Sequence, residues 1–176
     1  MMGCYLCVLL LAPRVALAQP LEQLKQQAEA AQKQQQYPQA VTLWQRVVKE
    51  QPMSADAYYN LGLSLHHQLK LDQAVIAYQK ATQLNDQYGA AYINLGLAWM
   101  QIGDYDQAQL AFAGAIAAPN QTADLADTHT LAHYNLAILF TRLGNRERAL
   151  QETQAVLELA PKFTLAQELL KQLQDP

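Results

Sequence analysis

Cysteine is nearly missing from this chain. Among 176 residues there are two, Cys4 and Cys7, and both lie in an apolar N-terminal run. Their spacing has the CxxC form of a redox or metal pair, but an apolar export segment offers no folded site for either chemistry. Neither heads a lipoprotein cleavage motif. No thiol follows Cys7, which suits an oxidising compartment. Charge is also sparse, at 15% of residues with a formal net charge of −3. There is no basic run and no Lys/Arg stripe with interleaved aromatics. Phosphate neutralisation, on which nucleic-acid binding depends, has no source, and nucleic acid is not expected as a partner. A Gly-rich phosphate loop, a GxSxG elbow, an HExxH pair and a recognisable nucleophile–base spacing are all absent. No catalytic residue, metal site or cofactor is therefore expected, and the chain reads as a non-enzyme.

Glycine and proline are few, seven of each, and most fall where helices would end. Apolar residues make up 51% of the chain, so a packed fold is expected rather than disorder. Glutamine is frequent, with a cluster at Gln32, Gln34, Gln35 and Gln36, and reads as a soluble helical surface without charge. The first eighteen residues differ from the rest. An apolar run from Cys4 to Ala12 meets Pro13, and Ala16-Leu17-Ala18 then offers the small residues that a signal peptidase accepts. The run is too short for a stable bilayer span. Residues 1–18 are expected to be a cleaved export signal, placing the chain in a periplasm, a lumen or the outside medium. Lys and Arg are lacking near Met1, and Arg14 sits on the far side. The alternative is an uncleaved segment acting as the chain's one membrane anchor.

Three stretches open alike: Ala57-Tyr58-Tyr59-Asn60-Leu61-Gly62, Ala91-Tyr92-Ile93-Asn94-Leu95-Gly96 and Ala132-His133-Tyr134-Asn135-Leu136-Ala137. Each leads to a turn and then to a second apolar-periodic stretch around Ala74, Ala108 and Ala149. In the best copy Tyr92, Leu95, Gly96 and Trp99 fall at i, i+3, i+4 and i+7, one face of a helix. Gly inside a helix costs about 1 kcal/mol against Ala. Gly62 and Gly96 are therefore expected where a facing helix packs too closely for a side chain. Two antiparallel helices cannot cover their own apolar faces, so pairs must stack.

The pattern of Tyr92, Leu95, Gly96, Trp99, Gly103, Tyr105, Ala108, Phe112 and Ala115 resembles the tetratricopeptide repeat. Tyr58, Leu61, Gly62, Ala74, Tyr78 and Ala81 repeat it. The fourth copy departs with Ala137, Thr153 and Val156 yet keeps Pro161, and a weaker first copy keeps Tyr37, Ala40, Trp44, Val47 and Pro52. The resemblance implies an all-α solenoid of about four antiparallel helix pairs, at 21–54, 55–88, 89–122 and 130–163. Residues 123–129 form an insertion before the fourth pair. Thr164 is expected to cap a closing helix over 164–176, with Leu165, Leu169, Leu170 and Leu173 turned inward.

In this family the first helix of each pair lines a concave groove where partners bind. The residues expected there are Tyr59, Asn60, Leu63 and His67, then Ile93, Asn94, Leu97 and Met100, then Tyr134, Asn135, Ile138 and Arg142. Most are apolar, and a contiguous apolar surface marks an interaction site. Coverage of Leu63, Leu97 and Ile138 by neighbouring helices is the competing reading. The three Asn amides could bond an extended peptide, or could simply fix the helix pair. The basic set with which some members clamp a carboxylate is missing, since Ile93, Asn94 and Leu97 stand there. The expected role is a protein-binding scaffold or adaptor for an apolar or extended segment, aiding assembly of an envelope or membrane complex. The alternative is a structural subunit, with the groove or a stack end buried in a homo-oligomer or larger complex. The insertion is expected either to lengthen the fourth pair's first helix from Asp124 or to form a surface loop. Asp127, His129 and His133 lack a third dependable metal ligand, and Asn120-Gln121-Thr122 matches a glycosylation acceptor that is common by chance.

Overall fold

The computed structural model describes residues 20–122 and 126–175. The export-signal reading of residues 1–18 and part of the insertion lie outside the described residues. Those residues form helices α1 (Leu21–Lys33), α2 (Tyr37–Glu50), α3 (Ala55–His67), α4 (Leu71–Leu84), α5 (Gly89–Ile102), α6 (Tyr105–Ala117), α7 (Thr128–Arg142), α8 (Arg146–Leu159) and α9 (Thr164–Gln174). Successive helices pair as α1/α2, α3/α4, α5/α6 and α7/α8, each pair packs on the next, and α9 closes the stack against α8. The fold is an all-α solenoid.

Local chemistry sets the helix ends. Ser54, Asp104, Asp127 and Asn145 accept the N–H groups of Ala57, Gln107, Thr130 and Arg148, satisfying donors that have no intrahelical partner. Within each pair the chain turns through one left-handed residue: Gln35, Leu69, Gly103 and Gly144, at φ 58°, 57°, 95° and 70°. Gly adopts that geometry freely at the last two, whereas Gln35 and Leu69 carry its strain.

Between the helices of a pair, large and small residues interlock. A Cβ on Gly62 would lie 2.6 Å from the Tyr78 ring, and one on Gly96 would lie 2.5 Å from the Phe112 ring. The close approach expected of these glycines is therefore to an aromatic ring. Sixteen residues separate each partner, and the same separation joins Ala28 to Trp44 and Ala137 to Thr153. Ala74, Ala108 and Ala149 are fully buried.

Three features at the C-terminal end are decided by the structure, the last two against expectation. The fourth pair's first helix starts at Thr128, with the described residues Ala126 and Asp127 outside it, so it does not run unbroken from Asp124. Thr164 is the first helical residue of α9, whose flanking residue Phe163 supplies no side-chain cap. Leu165 is 45% exposed, because Ala166, Leu169 and Leu173 form the stripe that meets the stack. Leu165 stands one residue before that stripe, and a single helical step is enough to turn its side chain onto another face.

Candidate functional site

The first helices α3, α5 and α7 share a register: Tyr59, Leu63 and His67 correspond to Ile93, Leu97 and Gln101, and these to Tyr134, Ile138 and Arg142. Met100 breaks that register. One helical step turns a side chain by about 100°, and Met100 is buried among Phe112, Leu136 and Phe140. Gln101 is exposed in its place. Ile93 keeps the register but is only 7% exposed, covered with Ala115 and Ala132 by Leu97, Ile116 and Leu131. Neither Ile93 nor Met100 is an open groove residue.

The aliphatic positions expected to form an open apolar surface are half-buried. Leu63 packs on the N-terminal core, Ile138 on the C-terminal core, and Leu97 touches both the C-terminal core and the small cluster around Ile93. Tyr134 meets Phe163 edge-on at 5.3 Å, and Glu168 joins burial in pushing its phenol pKa up, burial being the larger cause. Arg142 is exposed, and His67 stacks on Tyr37 at 4.4 Å with the planes 9° apart.

All three asparagines donate to their own helix four residues back: Asn60 to Asp56 O at 2.9 Å, Asn94 to Ala90 O at 3.0 Å and Asn135 to Leu131 O at 2.8 Å. Asn94 also donates to the Tyr59 hydroxyl at 3.2 Å, tying α5 to α3. Tyr59 lies 4.9 Å from the Tyr88 ring, whose phenol pKa is raised chiefly by burial and further by Asp56 and Tyr59.

Beside this tie is a cleft of about 340 Å³, lined by Leu63, His66, His67, Leu69, Asn94 and Gln101. It joins three expected residues to three that sequence reasoning missed. The missing signal was in reach, since Gln101 follows His67 by 34 residues, the repeat length. Half-burial holds the His66 imidazole pKa below its ordinary value of 6.5, with His67 adding to the effect and a bond to the Gln101 side chain opposing it. The cleft is thus an apolar floor with amide and imidazole groups and no Lys, Arg, Asp or Glu in its lining, suited to hydrogen-bonding an uncharged backbone.

The insertion is tied down at Asn120. Its Oδ1 accepts from the Thr128 hydroxyl at 3.2 Å and the His129 N–H at 3.1 Å, and its amide side chain bonds Asp127. Asp127, His129 and His133 do not converge. Asp127 caps α7, His129 Nε2 meets Ala118 O at 2.8 Å, and His133 pairs with Glu152 on α8 at 2.7 Å.

A model of the tetratricopeptide repeat matches residues 25–89 and 93–162, which together span most of the chain. The chain belongs to the tetratricopeptide repeat family. Members of this family are typically non-catalytic scaffolds that bind protein partners. Among solved structures, the chain is similar to the MamA protein, with 18% identity, a TM-score of 0.76, and 87% of this chain and 80% of that chain covered. TTC0263, a thermophilic TPR protein in Thermus thermophilus, shows 21% identity and a TM-score of 0.69, with 88% and 81% covered. YrrB, described as a TPR protein with an unusual peptide-binding site, shows 21% identity and a TM-score of 0.72, with 86% and 74% covered. At these identities the likeness concerns the fold. No curated protein matches the sequence. Among the described residues, no helix is long and apolar enough to cross a membrane.

Proposed function

We propose that this tetratricopeptide repeat chain is a non-enzymatic scaffold that holds an extended, largely apolar segment of a protein partner against α3, α5 and α7. The observation that carries the reading is the α3–α5 cleft, where Leu63 provides apolar floor and the side chains of Asn94, Gln101 and His67 provide a polar rim without Lys, Arg, Asp or Glu. An extended backbone presents alternating donors and acceptors, which amide side chains can satisfy. A rim without Lys or Arg gives no clamp for a chain-terminal carboxylate. The YrrB structure, of a TPR protein with a peptide-binding site, is consistent with this use of the fold.

The proposal includes export: the apolar run Cys4 to Ala12 and Ala16-Leu17-Ala18 support removal of residues 1–18 and work in an envelope compartment, aiding assembly there. Two measurements test the reading. N-terminal sequencing of the mature protein is expected to begin at Gln19. Affinity capture from envelope extract compares the protein with a His67→Ala, Gln101→Ala double variant, both sites being exposed. A partner retained by the first and lost by a folded second supports the cleft. Equal retention by both refutes it.

A further inference from the structure

On the opposite side of α3, between the second helices α2 and α4, lies a groove of about 500 Å³ lined by Tyr58, Leu61, Leu65, Ile76, Ala77 and Lys80, with glutamines around the remaining rim. That volume is in the range of sites that take a ligand side chain or small molecule. Ile76 at its edge is 66% exposed.

The same place in the third and fourth pairs is occupied from within the chain. Leu65 corresponds to Trp99 and then to Phe140, and Lys80 corresponds to Gly114. In the third pair Trp99 packs on both large core clusters, and Gly114 admits the Tyr92 ring to within 2.7 Å of where a Cβ would stand. In the fourth pair Arg148 lies over the Phe140 ring at 5.2 Å, and His133, the counterpart of Tyr58, is tied to Glu152, the counterpart of Ala77. In the second pair the shorter Leu65 puts no aromatic ring at the position of Trp99 and Phe140, leaving Tyr58 as the one ring in the lining, and Ala77 offers no polar bridge across it. Lys80 is the one ionised group among the lining residues. Among the described residues, no carboxylate pairs with it.

We propose that the α2–α4 groove docks a peptide segment carrying an aromatic side chain beside a carboxylate. The ring enters where Trp99 and Phe140 sit in the neighbouring pairs, and the carboxylate meets the Lys80 ammonium. This site lies on the other face from the cleft between α3 and α5 and stands independently of the role proposed there.

The test is an amide-shift titration of the purified protein with a capped peptide containing a Trp-Glu pair, beside Ala-Glu and Trp-Lys versions. Saturable shifts on α2 and α4 with the Trp-Glu peptide are expected, with weaker binding of both controls. Leu65→Trp, which supplies the ring internally, is expected to abolish the shifts. Lys80→Glu is expected to weaken binding about tenfold, the scale of one charge-assisted contact. Because Leu65 is buried, Ile76→Glu at an exposed position serves as a second variant and is expected to weaken binding in a protein of unchanged Tm. Equal binding of all three peptides, or shifts confined to Asn94 and Gln101, overturns the proposal. So does a dimer in sedimentation that Ile76→Glu dissolves, since a second copy is then the occupant.

Discussion

The indole N–H of Trp44 donates to Oε1 of Gln32 at 2.9 Å, and this pair sets a register that the next repeats follow with altered chemistry. Thirty-four residues on, Tyr78 takes the place of Trp44 and His66 that of Gln32, with the hydroxyl 3.4 Å from Nδ1. Another 34 residues on, Phe112 and Met100 stand there, both apolar and both buried. A buried aromatic with a polar tip faces a polar partner, and one without faces a thioether, as the cost of an unmet buried donor requires. Gln32 also donates to Asn60 O at 3.1 Å, so the first of these pairs ties α1 and α2 to α3.

From this rule, Met100→Gln is expected to destabilise the fold by about 1–3 kcal/mol, because it buries an amide facing a ring with no polar tip. Met100→His with Phe112→Tyr copies the His66–Tyr78 pair. Chemical denaturation of the singles and the double is expected to show favourable coupling of about 0.5–3 kcal/mol. Additive losses count against the pairing.

His66 links the same layer to pH. Its pKa is lowered in the fold chiefly by burial, so the unfolded chain binds the proton more readily. The associated stability is fully present above the ordinary value of 6.5, declines below it, and is gone once pH has fallen through the lowered folded value. His66→Gln, which copies Gln32 at that position, is expected to keep the fold and flatten Tm against pH in this window. A variant with an unaltered slope places the pH dependence elsewhere.

Gly96→Ala is expected to cost about 1–3 kcal/mol by overpacking, since the added methyl meets the Phe112 ring. Shortening that ring makes room. The fourth pair carries Ala137 and Thr153 at the corresponding positions, so Gly96→Ala in a Phe112→Thr background is expected to be neutral or mildly stabilising. Thermal melts of the two-by-two set decide the matter.

The helix pairs were legible in the sequence because a 34-residue period, interior glycines and turn residues all act locally. The site was legible only in part. Periodicity names the face of a helix that avoids its own partner, and Tyr59, Leu63 and His67 follow from it. It does not report what the next pair covers. Ile93 satisfies the period and is nonetheless buried by contacts from α6 and α7. Met100 was misplaced because an apolar residue one step off the register looks like a better groove lining than the amide of Gln101. The α2–α4 groove depends on Leu65 being smaller than Trp99 and Phe140, a difference in volume that a pattern of apolar positions cannot show.

Asn120 is expected to act as the latch of the insertion, since its side chain bonds Thr128, His129 and Asp127 together. Asn120→Ala removes acceptor and donor at once and is expected to cost about 0.5–2 kcal/mol, the scale of a lost helix cap. The loss is local, so hydrogen exchange at the Gln121, Thr128 and His129 amides is expected to quicken while that of the α3–α6 core is unchanged. Acid acts on the same latch. Burial alone would raise the Asp127 carboxyl pKa, but bonds from the Thr130 N–H and hydroxyl and from Asn120, with His129 nearby, hold it below its ordinary 3.8. Its contribution is present above that value and is lost as pH falls through the lower folded value. Exchange at Thr130 is therefore expected to rise in that range in the unaltered protein. Asp127→Asn, which keeps a capping oxygen but no charge, is expected to remove the acid sensitivity. Uniform quickening across all helices on Asn120→Ala would instead make the loop part of the global folding unit.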